Sequence, residues 1–140
     1  MTITTVATRS EIDGDDSTTA FTAAFKFLAD ADLTVILHDT SAGTDAVQTL
    51  TTHYTVAGAG DASGTVTFGT PPPSGQKVVI YNDPDLTQTT DYVAGAAFGA
   101  ETHEAALDKL TILAKRTREI VTRTPTLQDG DVDGSGEYDA

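Results

Sequence analysis

Apolar and polar residues alternate in short stretches along most of the chain, and one longer stretch of helical period follows them. Alternation at a spacing of two places the apolar side chains on one face of a strand. Thr2–Thr8 reads as such a strand, and Glu11–Thr19 as an acidic turn. In Ala20–Asp30, Phe21, Phe25 and Phe27 keep strand spacing on one face. Asp32–Thr40 places Leu33, Val35 and Leu37 together, with a turn at Asp39–Asp45. Val47–Gly58 reads as one further strand. After a glycine-rich turn at Ala57–Gly64, Gly64–Gly69 is a short strand with Val66 and Phe68 on one face. A stiff proline-glycine connection, Thr70–Gln76, leads to Lys77–Asp83, apolar enough to be central in a sheet. Recurring turn signals are the rhythm of an antiparallel sandwich or barrel. The predicted fold class is mainly β: an antiparallel β-sandwich-like domain followed by one C-terminal α-helix.

The helical stretch, FGAETHEAALDKLTILAKRTREIVTRT, has Glu101, Glu104 and Asp108 in its first turns and Lys115, Arg116, Arg118 and Arg123 in its last. That order matches the helix macrodipole, worth about 0.3–1 kcal/mol per well-placed charge. Pro125 is expected to end it. The spacing 4, 3, 4, 3 puts Ala106, Leu110, Leu113, Thr117 and Ile120 in one seam, with Leu107, Ala114 and Val121 beside it. Such a stripe is wide enough to face two things. It can rest on the chain's own sheet, or it can meet copies of itself as a short coiled coil, and fewer than three heptads do not choose between them. The organisation expected is a β-domain over 1–99, an oligomerisation helix over 100–124 and an acidic, mobile tail over 125–140.

Composition narrows the possible roles. The 140 residues fit one domain and contain no cysteine, which excludes disulfide and thiol chemistry. A formal net charge of −13 argues against general nucleic-acid binding and against an anionic membrane surface as partners. No apolar run approaches the roughly 18 residues of a transmembrane span. The opening MTITTVATRSEIDGDD lacks the basic-then-apolar order of a secretory leader.

Several motifs in a fixed order carry a resemblance. They are FTAAFKFL (Phe21–Leu28 with its aromatic spacing), YTV (Tyr54–Val56), GTVTF (Gly64–Phe68), PPPSGQKVVIY (Pro71–Tyr81), QTTDY (Gln88–Tyr92) and F-x-A-E-x-x-E-x-A-L-D-K-L (Phe98–Leu110). Together, over Thr2–Arg123, they resemble the N-terminal virion-attachment domain of phage tail fibres and tailspikes, of the autographivirus-type short-tailed phages. The resemblance implies a small β-rich domain that forms a homotrimer, docks on tail proteins of the adaptor or nozzle, and leads through its helix into a trimeric coiled coil and fibre shaft. Past Arg123 only the acidic stretch follows. The expectation is therefore a tail-fibre adaptor on the virion tail, made in the host cytoplasm, anchoring a separate distal tail fibre protein. The rival expectation is a glycan- or calcium-binding module on a particle surface, with Tyr54, Tyr81 and Tyr92 as its aromatic candidates.

Chemistry elsewhere is thin, and neither catalysis nor a cofactor is expected. Asp129, Asp131, Asp133 and Gly134 match the first half of an EF-hand-like calcium loop, but Ala140 stands where its bidentate glutamate belongs. His38, His53 and His103 show no metal-ligand spacing, and Leu107 occupies the place of a second histidine after His103-Glu104. Glu104 and Asp108 lie one turn apart, as a carboxylate pair would, or as two residues on a solvated helix face. GDASG (Gly60–Gly64) is a turn without a partnered histidine. Lys109, Lys115, Arg116, Arg118 and Arg123 form a basic end, suited to dipole compensation and the acidic tail or to an acidic neighbour.

Overall fold

The computed structural model describes residues 3–124. Its strands are β1 (Arg9–Asp13), β2 (Ala20–Ala23), β3 (Leu33–Asp39), β4 (Thr44–Val47), β5 (Tyr54–Ala57), β6 (Gly64–Phe68) and β7 (Gln76–Asn82), followed by the helix α1 (Ala100–Arg123). They form a four-stranded sheet ordered β1-β7-β3-β4 and a three-stranded sheet ordered β2-β6-β5, with every strand pair antiparallel. The inner faces share one core. Val35, Val78 and Ile80 come from the larger sheet, and Phe21, Val66, Phe68 and Tyr54 from the smaller. The mainly β, sandwich-like class with one C-terminal helix is the observed class.

β7 is central, between β1 and β3, as its apolar run predicts. Three local expectations are corrected. The first strand among the described residues is not in the predicted Thr2–Thr8 stretch but at Arg9–Asp13, running into the acidic stretch. Period-two alternation explains this. Ile12 packs against the core while Arg9, Glu11 and Asp13 fall on the other face of an edge strand. The aromatic strand ends at Ala23, although Phe25 and Phe27 still reach the core. Val47–Gly58 is two elements. Thr51 adopts a left-handed φ of 67° between β4 and β5, and its N–H bonds to the Tyr54 carbonyl at 2.8 Å.

The β5–β6 connection needs a glycine at its end. A Cβ on Gly64 would lie 2.6 Å from the Ala57 carbonyl oxygen and would overlap the Phe27 ring. Beyond β7, residues 83–99 contain no strand or helix and carry the chain to α1. No helix among the described residues is long and apolar enough to cross a membrane.

Candidate assembly interface

The side of α1 that faces the β-domain is mostly charged. Asp108, Ile112, Lys115, Arg116 and Glu119 recur there at helical spacing, and Ile112, 1% exposed, is the fully buried apolar anchor among them. Lys26 lies between Phe25 and Phe27, so strand-like alternation turns it away from the core that they enter. Its backbone carbonyl accepts a hydrogen bond from the buried Asn82 side-chain amide at 2.9 Å. Its ammonium donates to Asp108 Oδ2 at 2.5 Å, with both side chains buried.

Further along, Arg116 lies over the Tyr81 ring, 4.2 Å from its centroid, and donates to Asp83 Oδ1 at 3.2 Å. Tyr81 is paired with Arg9 across β7 and β1, which brings Arg9 to 3.8 Å from Glu119 Oε1. Glu119 also accepts from Arg116 and, at 2.5 Å, from Arg123. Burial pushes the Glu119 carboxyl up, but hydrogen bonds from Arg123 and Arg116 with their charges outweigh it and hold the group below its ordinary value. Lys115 donates to the Thr5 carbonyl at 2.6 Å, and burial lowers its pKa.

The opposite side is apolar and open. Leu107, Leu110, Ile120 and Val121 are 51%, 58%, 43% and 50% exposed. Thr117 and Ala114 are exposed as well, while Ala106 and Leu113 are half-buried. Ala106, Leu110 and Leu113 line a groove of about 520 Å³, whose far wall is Leu28 and the threonines from Thr87. Lys109 bridges to that wall through Thr87 Oγ1 at 3.3 Å. The structure thus places all five seam residues on or beside one outward stripe, and Leu107, Ala114 and Val121 widen it. Among the described residues the helix has no helical partner and one side is taken by the β-domain, so α1 by itself is not a coiled coil.

Near the start of α1 the stripe meets an aromatic cluster. Tyr92 and Phe98 stack at 5.9 Å, and the Tyr92 hydroxyl is 3.0 Å from His103 Nδ1. Phe98 is 67% exposed. Neither this cluster nor the Lys26–Asp108 pair is legible as a site in the sequence. The one signal for the pair is a lysine flanked by two core phenylalanines.

Other sequence candidates separate. Asp108 is not on a solvated face beside Glu104; it is buried against Lys26. Tyr54 is buried in the core, Tyr81 lies beneath Arg116 and Tyr92 is half-exposed beside α1, so the three share no binding face. His38 pairs with Asp45 at 2.7 Å, and His53 accepts from the Thr49 N–H at 2.9 Å. No metal-binding group of three or more side chains occurs among the described residues. The candidate calcium ligands Asp129, Asp131 and Asp133 lie outside the described residues, as does Pro125.

No known family profile matches the chain. It is 33% identical over 143 aligned residues to the tail spike protein of Salmonella phage epsilon15, an alignment that covers 99% of this chain and 13% of that protein. The match runs through both sheets and α1 and supports a tail-spike-related domain.

Proposed function

We propose that this chain is a structural, non-enzymatic component of a phage tail that assembles as a homotrimer through the outward stripe of α1 and docks its β-domain on tail proteins. One observation carries the reading. The helix meets its own β-domain mainly through charged side chains and leaves its more apolar side uncovered, the reverse of the ordinary surface helix. Leu110, Leu113 and Ile120 then supply the buried anchors, and flanking charges such as Lys109 and Arg123 set register. Relation to a tail spike protein supports a place on the virion tail. The motif resemblance supports the finer role of an adaptor that carries a distal fibre, as in autographivirus-type phages.

Native mass spectrometry tests the assembly, with the 14.6 kDa chain as the ruler. A species of three chains is expected at micromolar concentration. A monomer throughout that range, or a dimer alone, overturns the homotrimer.

A further inference from the structure

Period-two alternation turns Arg9, Glu11, Ile36, His38, Lys77 and Tyr81 to the outer face of the larger sheet, away from the core. The last turns of α1 stand over one side of this face. Arg116 and Arg123 thereby close it into a cleft of about 470 Å³, within the size range of ligand sites. A second hollow of about 390 Å³, between residues 6–8 and the helix, adjoins the cleft. Arg9 and Arg123 line both, and the second adds Lys115 and Arg118. The two hollows gather six of the eight basic residues of the chain but only three of its 21 acidic ones, Glu11, Asp45 and Glu119.

Those three carboxylates are already committed. Glu11 accepts from Arg9 at 2.5 Å and lies 3.7 Å from Lys77. Glu119 is shared among Arg9, Arg116 and Arg123, and Asp45 is paired with His38. The partly buried Lys115 donates to a neutral backbone carbonyl, and Arg118 is in no ion pair among the described residues. Because a guanidinium carries five N–H donors and an ammonium three, donors are left over after the internal pairs are made. Lys77 is part-exposed and Arg123 half-exposed, so some of these donors reach solvent. With a net charge of −13, the remaining surface repels an anion, and a carboxylate-rich segment can settle only on this side. A nucleic acid fits less well, because its phosphates continue past a cleft of this size onto acidic surface. The cleft floor at Ile36 and Val79 is apolar and suits the methylene groups of glutamate side chains.

We propose that this two-part basic surface is the docking site for a short, carboxylate-rich segment of a tail protein. It rests on the tail docking proposed above for the partner's place on the tail, and it names the face and the chemistry. The probe is a terminally blocked hexaglutamate peptide, added to the isotope-labelled full-length chain at low ionic strength. Saturable shifts of backbone amides are expected in β1, in β7 and at residues 115–123. They should be lost in about 0.5 M NaCl, where screening shortens electrostatic reach to a few ångströms. Lys77→Gln combined with Arg118→Gln should weaken the peptide about fivefold, the effect of losing two exposed charge pairs. Lys109→Gln, in the groove on the opposite flank of α1, should leave it unchanged. No saturable shift, shifts centred elsewhere, or equal shifts from a blocked hexaserine peptide overturn the proposal. Tighter binding of a six-nucleotide oligothymidylate also overturns it and makes nucleic acid the partner. The same shifts on raising the chain concentration without peptide make a second copy the occupant, and a tail-protein segment is then wrong. Native mass spectrometry of the same samples separates this inference from the homotrimer. A monomer that binds the peptide overturns only the homotrimer, and a three-chain species that does not bind it overturns only the docking site.

Discussion

Replacing Asp108 by alanine removes the carboxylate that faces a buried ammonium. Lys26 and Asp108 lie 2.5 Å apart with side chains 7% and 8% exposed, so neither charge is well hydrated in the native state. Breaking such a pair from one side costs about 3–5 kcal/mol, because the remaining charge stays in a poorly solvated place. That is a large fraction of the roughly 5–15 kcal/mol that holds a domain of ordinary stability together. Apart from Ile112, α1 has no fully buried apolar residue to compensate. Asp108→Ala is therefore expected to release α1 from the β-domain, or to lower global stability by that amount. Lys26→Met combined with Asp108→Leu replaces the pair with apolar groups of similar reach, and the double variant is expected within about 1 kcal/mol of the parent, or above it. Urea denaturation followed by far-ultraviolet circular dichroism measures both. If Asp108→Ala costs less than about 1 kcal/mol, the value of an exposed pair, then the pair is hydrated and does not hold the helix.

The other predictions are shorter. Leu110→Asp should leave the chain folded, within about 0.5 kcal/mol of the parent's monomer stability, because the side chain is 58% exposed. It should also remove the three-chain species in sedimentation equilibrium, and persistence of that species would remove Leu110 from the interface. Gly64→Ala should destabilise by about 1–3 kcal/mol, read from the urea midpoint, because the added methyl meets the Ala57 carbonyl and the Phe27 ring. Glu119 has a folded pKa below its ordinary value of 4.5, so its contribution to stability is complete above that value and is lost as pH falls through the folded pKa. Thermal melts from neutral to acid pH should show this loss only below about pH 4.5, and Glu119→Gln should flatten that part of the profile.

The elements legible in the sequence were those where one period dominates. Leu33, Val35 and Leu37, then Val66 and Phe68, alternate cleanly, and β3 and β6 stand where that alternation puts them. The helix was legible from its period and its charge order. The first strand was not, because its outward face is Arg9, Glu11 and Asp13 and composition there imitates a turn. The break at Thr51 was not, because the chain bends at a threonine in a left-handed conformation, which carries no glycine or proline signal. At α1 the seam could be read from spacing, yet which side met the β-domain could not. That choice depends on Lys26, some eighty residues earlier in the chain, meeting Asp108.

This long-range pair also explains why the apolar stripe is not simply buried on the chain's own sheet. Turning α1 to bring Leu107 and Leu110 inward would carry Asp108 away from Lys26 and lift Arg116 from Tyr81 and Asp83. The first change alone separates a buried ammonium from the Asp108 carboxylate, at a cost of several kcal/mol. Burying two half-exposed leucines returns only about 1–1.5 kcal/mol each. The polar contacts thus act against the self-buried arrangement, as specificity devices do when one sequence could satisfy two packings. They hold the apolar side outward even in the isolated chain, where exposing it is unfavourable. A surface kept available in this way is stabilised only when another surface covers it, and the assembly proposed above would supply that cover.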